Sequence, residues 1–344
     1  MKIAIVADLH NEGRKLEDKW AAWQLAVNDM KAQGVNVCAI AGDIFGSRNI
    51  GSREATTGTV FNSFMEPAND LIRNGITVLA IPGNHDLGFG SQFSALETLE
   101  STPIIVFNRN FTYEVDGVLF AFAPWSTKET RAQDLDVFIR DVGREFKAHR
   151  TKSNGAKILV GHLMVRGSVL NSGISLPASE YEVTPEQLDS LGADLIALGH
   201  IHKRQKYYVG ALSQNNFGEE GNPCGYLIFD TISKEKEFRE IDCPKYRTII
   251  YTQGAAIAKM PGYTKIRLNG RASEDFVQSI LEKPGYSVEV IPEKENRART
   301  IEGVSSGKTD LELLDSFLTA HDTLEHDRIR IIKLARELAK ETTQ

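Results

Sequence analysis

The chain is poor in cysteine, with three in 344 residues (Cys38, Cys224 and Cys243), scattered and odd in number. With no C-x-x-C pair they offer neither a disulfide framework nor a thiolate metal site, and they read as reduced, partly buried thiols. Long apolar runs are missing too. None approaches the ~20 residues that span a bilayer, and MKIAIVADLH has only six apolar residues before Asp8, too few for a signal-peptide core. A cytoplasmic protein without a membrane segment is expected. Nor is there a basic excess: 40 Lys and Arg against 46 Asp and Glu leave a net charge of −6. Residues 245–308 carry 11 basic against 7 acidic groups (+4) and residues 310–344 carry 5 against 8 (−3), which leaves −7 for residues 1–244. An acidic body suits metal cations and a basic segment suits a polyanion, although solvated surface accounts for the same counts.

What is present is an ordinary globular composition, 41% apolar and 25% charged, enough for a large domain and a smaller one. Short β-rich runs (Lys2–Ala7, Asn36–Ala41, Thr77–Ile81, Val118–Ala123, Lys157–Val160, Leu195–Leu198) alternate with helical patterns (Lys15–Gln33, Arg53–Asn74, Arg131–His149). This alternation predicts a layered α/β core with a substantial parallel component. Tyr207–Val209, Gly225–Asp230 and Glu237–Ile241 read as strands completing a second sheet. Residues 245–292 read as a small α+β unit, with strands Arg247–Tyr251, Tyr263–Leu268 and Ser287–Ile291 and a helix Ser273–Leu281. The polar stretch 293–309 reads as a linker, and two amphipathic helical stripes follow in 310–344. GVSSGKT in the linker imitates a phosphate-binding loop, but it has three residues between its glycines where four are required, and no strand leads into it. It is rejected as a nucleotide site.

Five short polar motifs follow the apolar runs: Asp8-Leu9-His10, Gly42-Asp43, Gly83-Asn84-His85-Asp86, Gly161-His162 and Gly199-His200-Ile201-His202. In open α/β sheets functional groups gather outside the carboxyl ends of the strands, so folding can bring all five to one rim. Asp8, His10, Asp43, Asn84, His162, His200 and His202 offer carboxylate, amide and imidazole donors without sulfur. Seven donors exceed the needs of one ion and suit two, about 3.5–4 Å apart and sharing a carboxylate. Carboxylates favour Mn²⁺ or Mg²⁺, and imidazoles also admit Fe and Zn. Extended-strand alternation would put Asp8 and His10 on one side, and His200 and His202 likewise.

In this order the motifs resemble the calcineurin-like metallophosphoesterase superfamily. The resemblance implies a two-sheet sandwich flanked by helices. It also implies a first metal held by Asp8, His10, Asp43 and His202, with Asp43 bridging to a second metal completed by Asn84, His162 and His200. His85 would protonate the leaving oxygen and Asp86 would orient it. GNHD and GDIFGSR differ from the GNHE and GDxxDRG of phosphoprotein phosphatases. The continuation, GHLMVRG, GHIHKRQ, YVGALSQNNFGEEG and GYLIFD, resembles the SbcD-type nucleases of double-strand-break repair complexes. That narrower likeness implies a Mn²⁺-dependent DNA exonuclease and endonuclease with a nuclease domain at 1–244 and a DNA-capping unit at 245–292. The helices of 310–344 would dock an SbcC-like SMC-type ATPase. Arg48, Arg53, Lys203 and Arg204, beside the metal motifs, are candidate contacts to DNA phosphates. Homodimerisation is part of the same expectation, with Trp20, Trp23 and Phe64 serving it or lying in the core. Two positions depart from the family's DxHxG and GDxFD or GDxFH: Asn11-Glu12 follows His10, and Gly46 replaces the second acidic or His residue. The chain is also short, as a phage-encoded version acting in the host cytoplasm would be. A small-molecule or cyclic-nucleotide phosphodiesterase, or a nucleotidase, of the same superfamily is the alternative.

Overall fold

A computed structural model describes residues 1–46, 58–87, 94–125, 132–149, 155–171, 182–251, 262–269 and 273–291, with Leu314, Ile329, 331–333 and Ala335 near the end. Arg48, Arg53, the 293–309 linker with its GVSSGKT, and most of the 310–344 helices lie outside the described residues. The first half contains β1 (Lys2–Val6), α1 (Leu16–Ala32), β2 (Val37–Ala41), α2 (Gly58–Arg73), β3 (Thr77–Ile81), β4 (Ile105–Val106), β5 (Phe111–Val115), β6 (Val118–Ala123) and α3 (Ala132–Ala148). Then come β7 (Lys157–His162), β8 (Met164–Val165), β9 (Glu182–Val183), α4 (Pro185–Asp189), β10 (Leu195–Gly199), β11 (Gly225–Asp230) and β12 (Lys236–Glu240). The remainder is β13 (Tyr246–Tyr251), β14 (Tyr263–Asn269), α5 (Glu274–Leu281) and β15 (Tyr286–Ile291).

Alternation of side chains along each strand builds two cores at once. Ala4, Val6, Cys38, Ile40, Val78 and Ala80 face α1 and α2. Ile3, Ile5, Val37, Ala39, Leu79 and Ile81 face Phe120, Phe122, Ile158, Val160 and Ala197 of a second sheet. The outer side of that sheet packs on α3 and α4 through Leu119, Ala121, Leu159, Ile139, Phe146 and Leu188. The result is a four-layer helix–sheet–sheet–helix sandwich, as the family resemblance implies. One sheet has the order β12-β11-β1-β2-β3-β4 and the other β10-β7-β6-β5. Trp23 and Phe64 are fully buried and stack at 6.2 Å, so they are core; of the three dimer candidates only Trp20 is exposed. All three cysteines are buried and free, and burial pushes the Cys38 thiol up to about 12.

One topological expectation needs correction. β11 and β12 do not complete the second sheet; β11 pairs antiparallel with β1 and extends the first. Tyr207–Val209 forms only a single bridge, Tyr208 to Leu198. A strand buried on both faces can fit either sheet, and its partner is set by a free edge contributed by residues more than two hundred positions away. The α+β unit, by contrast, has the elements expected: a parallel sheet β13-β14-β15 covered by α5, with Ile266, Leu268 and Ile280 at its core. No helix among the described residues is long and apolar enough to cross a membrane.

Candidate dinuclear metal centre

The carboxyl ends of β1, β2, β3, β7 and β10 do meet. The segment after β1 is laced to the one after β2 by Asp8 N–H to Gly42 O (3.1 Å), His10 N–H to Asp43 O (2.9 Å) and Asn11 N–H to Ile44 O (2.9 Å). Four of the predicted ligands have left-handed backbone: Asp8 (φ 54°), His10 (49°), Asp43 (52°) and His200 (95°). Each costs roughly 1–3 kcal/mol and persists only where the surroundings impose it. Gly83 has to be glycine, because a Cβ there would overlap the Asp43 carboxylate. The alternation argument is thereby corrected. Asp8 and His10 do converge, but from left-handed rather than extended backbone, and the rings of His200 and His202 take different partners. His202 Nε2 lies 2.9 Å from His10 Nε2, whereas His200 Nδ1 lies 2.8 Å from Asn84 Oδ1.

Among the described residues the donor atoms form three overlapping groups: Asp8 with His10 and His202, Asp8 with Asp43 and His162, and His10 with Asp43 and His85. Asp43 Oδ2 sits between the halves, 3.6 Å from His10 Nε2 and 3.4 Å from His162 Nε2. His162 gives its Nδ1 hydrogen to Ala41 O (2.8 Å), turning Nε2 toward Asn84 Oδ1 at 3.1 Å. Burial pushes His10 well down, and together with His162 takes His200 down to about 3, so both present neutral lone pairs. Burial works against a charged His162 as well, but the Asp43 carboxylate outweighs it and holds the ring up at about 9. Asp43 in turn stays far below the carboxylate range, burial being overcome by His162 and His10. Asp8 and Asp43 facing the neutral imidazoles of His10 and His200 are a donor set that fits divalent cations, and His162 would give up its proton on binding one.

His85 and Asp86 divide differently from expectation. His85 Nδ1 lies 3.1 Å from Gly46 O, and its ring meets His10 edge-on at 4.7 Å. A ring nitrogen of His85 also lies within 4.8 Å of donors on His10 and Asp43. Asp86 does not orient that ring. Its fully buried carboxylate accepts the N–H groups of Gly83 (2.8 Å), Phe45 (2.9 Å) and Ile44 (3.3 Å), clamping the turn after β3 to the segment after β2. Neighbours in sequence diverge in this turn, so adjacency did not make a dyad. Replacing Asp86 with Ala strands three buried donors, and we expect a loss on the order of 3 kcal/mol or more in denaturant unfolding.

The two departures from the family pattern touch each other. A Cβ on Gly46 would lie 2.9 Å from Glu12 Cβ and 3.0 Å from Glu12 Oε2. The Glu12 side chain thus fills the space that a residue at 46 would need, and the exchange is reciprocal. Gly46→Asp alone should cost about 1–3 kcal/mol of stability by overpacking. Glu12→Gly in the same chain should restore most of it, a coupling that a double-mutant cycle of unfolding midpoints would read.

Three residues at the site were assigned no role by sequence reasoning, although Glu219 lies in the YVGALSQNNFGEEG stretch that carries the narrower resemblance. Trp125 stacks on His200 (4.8 Å) and meets His162 edge-on (6.0 Å); its signal was its place just past β6, another strand end on the same rim. Glu219 accepts a hydrogen bond from His202 Nδ1 (2.8 Å). Lys19, 3% exposed, donates to Ser213 Oγ and the Asn215 side chain. Of the described candidates for DNA contact, Lys203 is half-buried and Arg204 lies 4.6 Å over the Phe238 ring on β12.

Residues 1–204 match the calcineurin-like phosphoesterase family. The chain belongs to that family. Its members work with a dinuclear metal centre, and this chain is accordingly a metal-dependent phosphoester hydrolase. Along its whole length, and the whole length of the relative, it is 24% identical over 372 aligned positions to exonuclease subunit 1 of Enterobacteria phage T4. Similar solved structures include a protein of Thermus thermophilus, TT1561 (13% identity, 70% of this chain and 98% of that one, TM-score 0.43). A dimetal phosphatase from Danio rerio is another (10% identity, 70% and 96%, TM-score 0.42).

Proposed function

We propose that the chain is the nuclease subunit of a two-component DNA-processing complex, hydrolysing phosphodiester bonds at DNA ends with two Mn²⁺ ions. The observation that carries this reading is the end-to-end match to an exonuclease subunit. It extends past the phosphoesterase region through the α+β unit and the last residues, where a small phosphodiesterase would have stopped. The proposed division is a nuclease domain at 1–244, a DNA-capping unit at 245–292, a linker, and docking helices at 310–344 for an SMC-like ATPase. The proposed setting is the host cytoplasm, with the chain as a homodimer.

In the proposed mechanism Asp8, His10, Asp43 and His202 would hold one ion, and Asp43, Asn84, His162 and His200 would hold the other. Bound there, the ions would supply Lewis-acid polarisation of the phosphate and an activated water. Protonated His85 gives its Nδ1 hydrogen to Gly46 O and holds its transferable proton at Nε2 for the leaving oxygen. Asp86 keeps the His85 turn in place through the backbone. Lys and Arg of the basic 245–308 segment supply the sequence-independent attraction to DNA phosphates.

The reading is tested by incubating end-labelled duplex DNA and a 2′,3′-cyclic nucleotide separately with the chain and Mn²⁺. Shortening of the duplex supports it, and hydrolysis of the cyclic nucleotide alone sinks it. Removing residues 310–344 should leave hydrolysis of a small phosphodiester intact and abolish pull-down of the ATPase. Pull-down that survives the truncation would count against the docking helices.

A further inference from the structure

One turn, residues 213–220, is held from three sides. Toward the metal site, Glu219 is 2% exposed. Its Oε1 accepts from His202 Nδ1 (2.8 Å) and Asn216 Nδ2 (3.2 Å), and its Oε2 from the Asn215 N–H (2.9 Å). His202 therefore carries its ring hydrogen on Nδ1 and turns the Nε2 lone pair toward His10 and the donor cluster. A carboxylate behind an imidazole in this way fixes its tautomer and its direction. From α1, Lys19 reaches Ser213 Oγ (2.9 Å) and the Asn215 side chain, and Lys15 reaches Asn215 O (2.5 Å). From the α+β unit, the Thr248 N–H donates to Glu220 Oε1 (2.8 Å) and the Tyr246 N–H to Gln214 Oε1 (2.7 Å). Phe217 is wedged between the Tyr246 ring (4.8 Å) and the Lys265 ammonium (4.6 Å).

We propose that this turn is a mechanical link through which the α+β unit sets the His202 imidazole, with Glu219 as a positioning residue for the first metal site. The inference rests on His202 being a metal ligand, as proposed above. Without Glu219 the His202 Nδ1 is left with the Asn215 side-chain amide at 3.1 Å, a donor that favours the opposite tautomer with its hydrogen on Nε2, which weakens one ion and spares the other. Without the Thr248–Glu220 bond the turn loses the grip on β13 that is adjacent in sequence to Glu219, although nothing that touches His202 has changed.

The test is a calorimetric titration of Mn²⁺ into the metal-free full-length chain, with unfolding midpoints recorded in parallel. Glu219→Ala and the isosteric Glu219→Gln should weaken one of the two ions by about 10–100-fold, the scale of such supporting contacts, and leave the other unchanged. Glu219→Asp should recover part of that loss. Glu220→Ala should weaken the same ion by a smaller factor, at an unchanged midpoint. Should Glu219→Ala fail to fold, Glu219→Gln carries the reading alone. Wild-type titrations from the Glu219 variants would overturn the positioning role, and weakening in those variants without any effect of Glu220→Ala would overturn the link. A wild-type chain that binds fewer than two ions would bring down the dinuclear reading and this inference with it. One that binds two yet leaves DNA intact would fail only the choice of substrate.

Discussion

Asp43→Asn is expected to lower phosphodiester hydrolysis by roughly 10³-fold or more, the scale on which a preorganised charge-stabilising group acts. The side chain keeps its size, so the loss is one of charge. Asp43 Oδ2 lies within 3.6 Å of both His10 and His162, which places it between the two halves of the site. Asp43 Oδ1 also accepts the His85 N–H at 2.8 Å, so the same carboxylate holds the turn carrying the proposed proton donor. An amide can keep that bond, but it cannot neutralise two cations. Metal content should therefore fall along with activity. A variant that retained two ions with wild-type affinity would show the bridge to be misassigned.

His85→Ala should separate the same two quantities. General acid catalysis contributes about 10²–10⁴-fold, and we expect a loss of that size with both ions still bound. The ring is close enough to His10 and Asp43 for a ligand role to compete with a proton-donor role, and metal analysis of the variant decides between them. Loss of an ion together with activity would make His85 a ligand. Activity that survives would remove it from the chemistry altogether.

How much of this was legible beforehand follows from how local each signal is. Strands such as Thr77–Ile81 and Val118–Ala123 are short apolar runs bounded by polar residues, and their limits agree to the residue with the folded chain. β5 went unread because it is half exposed, although Asp116-Gly117, both at positive φ, is a standard hairpin signal leading into β6. The sheet joined by β11 depends on a pairing with residues 2–5 that no window of sequence contains. At the site, the donor residues could be read because each follows its own strand. Their geometry could not, since left-handed backbone at Asp8, His10 and His200 replaces the alternation that extended strands would give. Glu219 lies 17 positions past His202 and meets it only after the chain has turned back.

The central claim is that five loops build one centre for two cations. The direct measurement is Mn²⁺ binding to the metal-free full-length chain at equilibrium, read as stoichiometry. Two ions per chain, reduced in Asp43→Asn, is the predicted result. A single ion per chain, or two that are indifferent to Asp43, would contradict it.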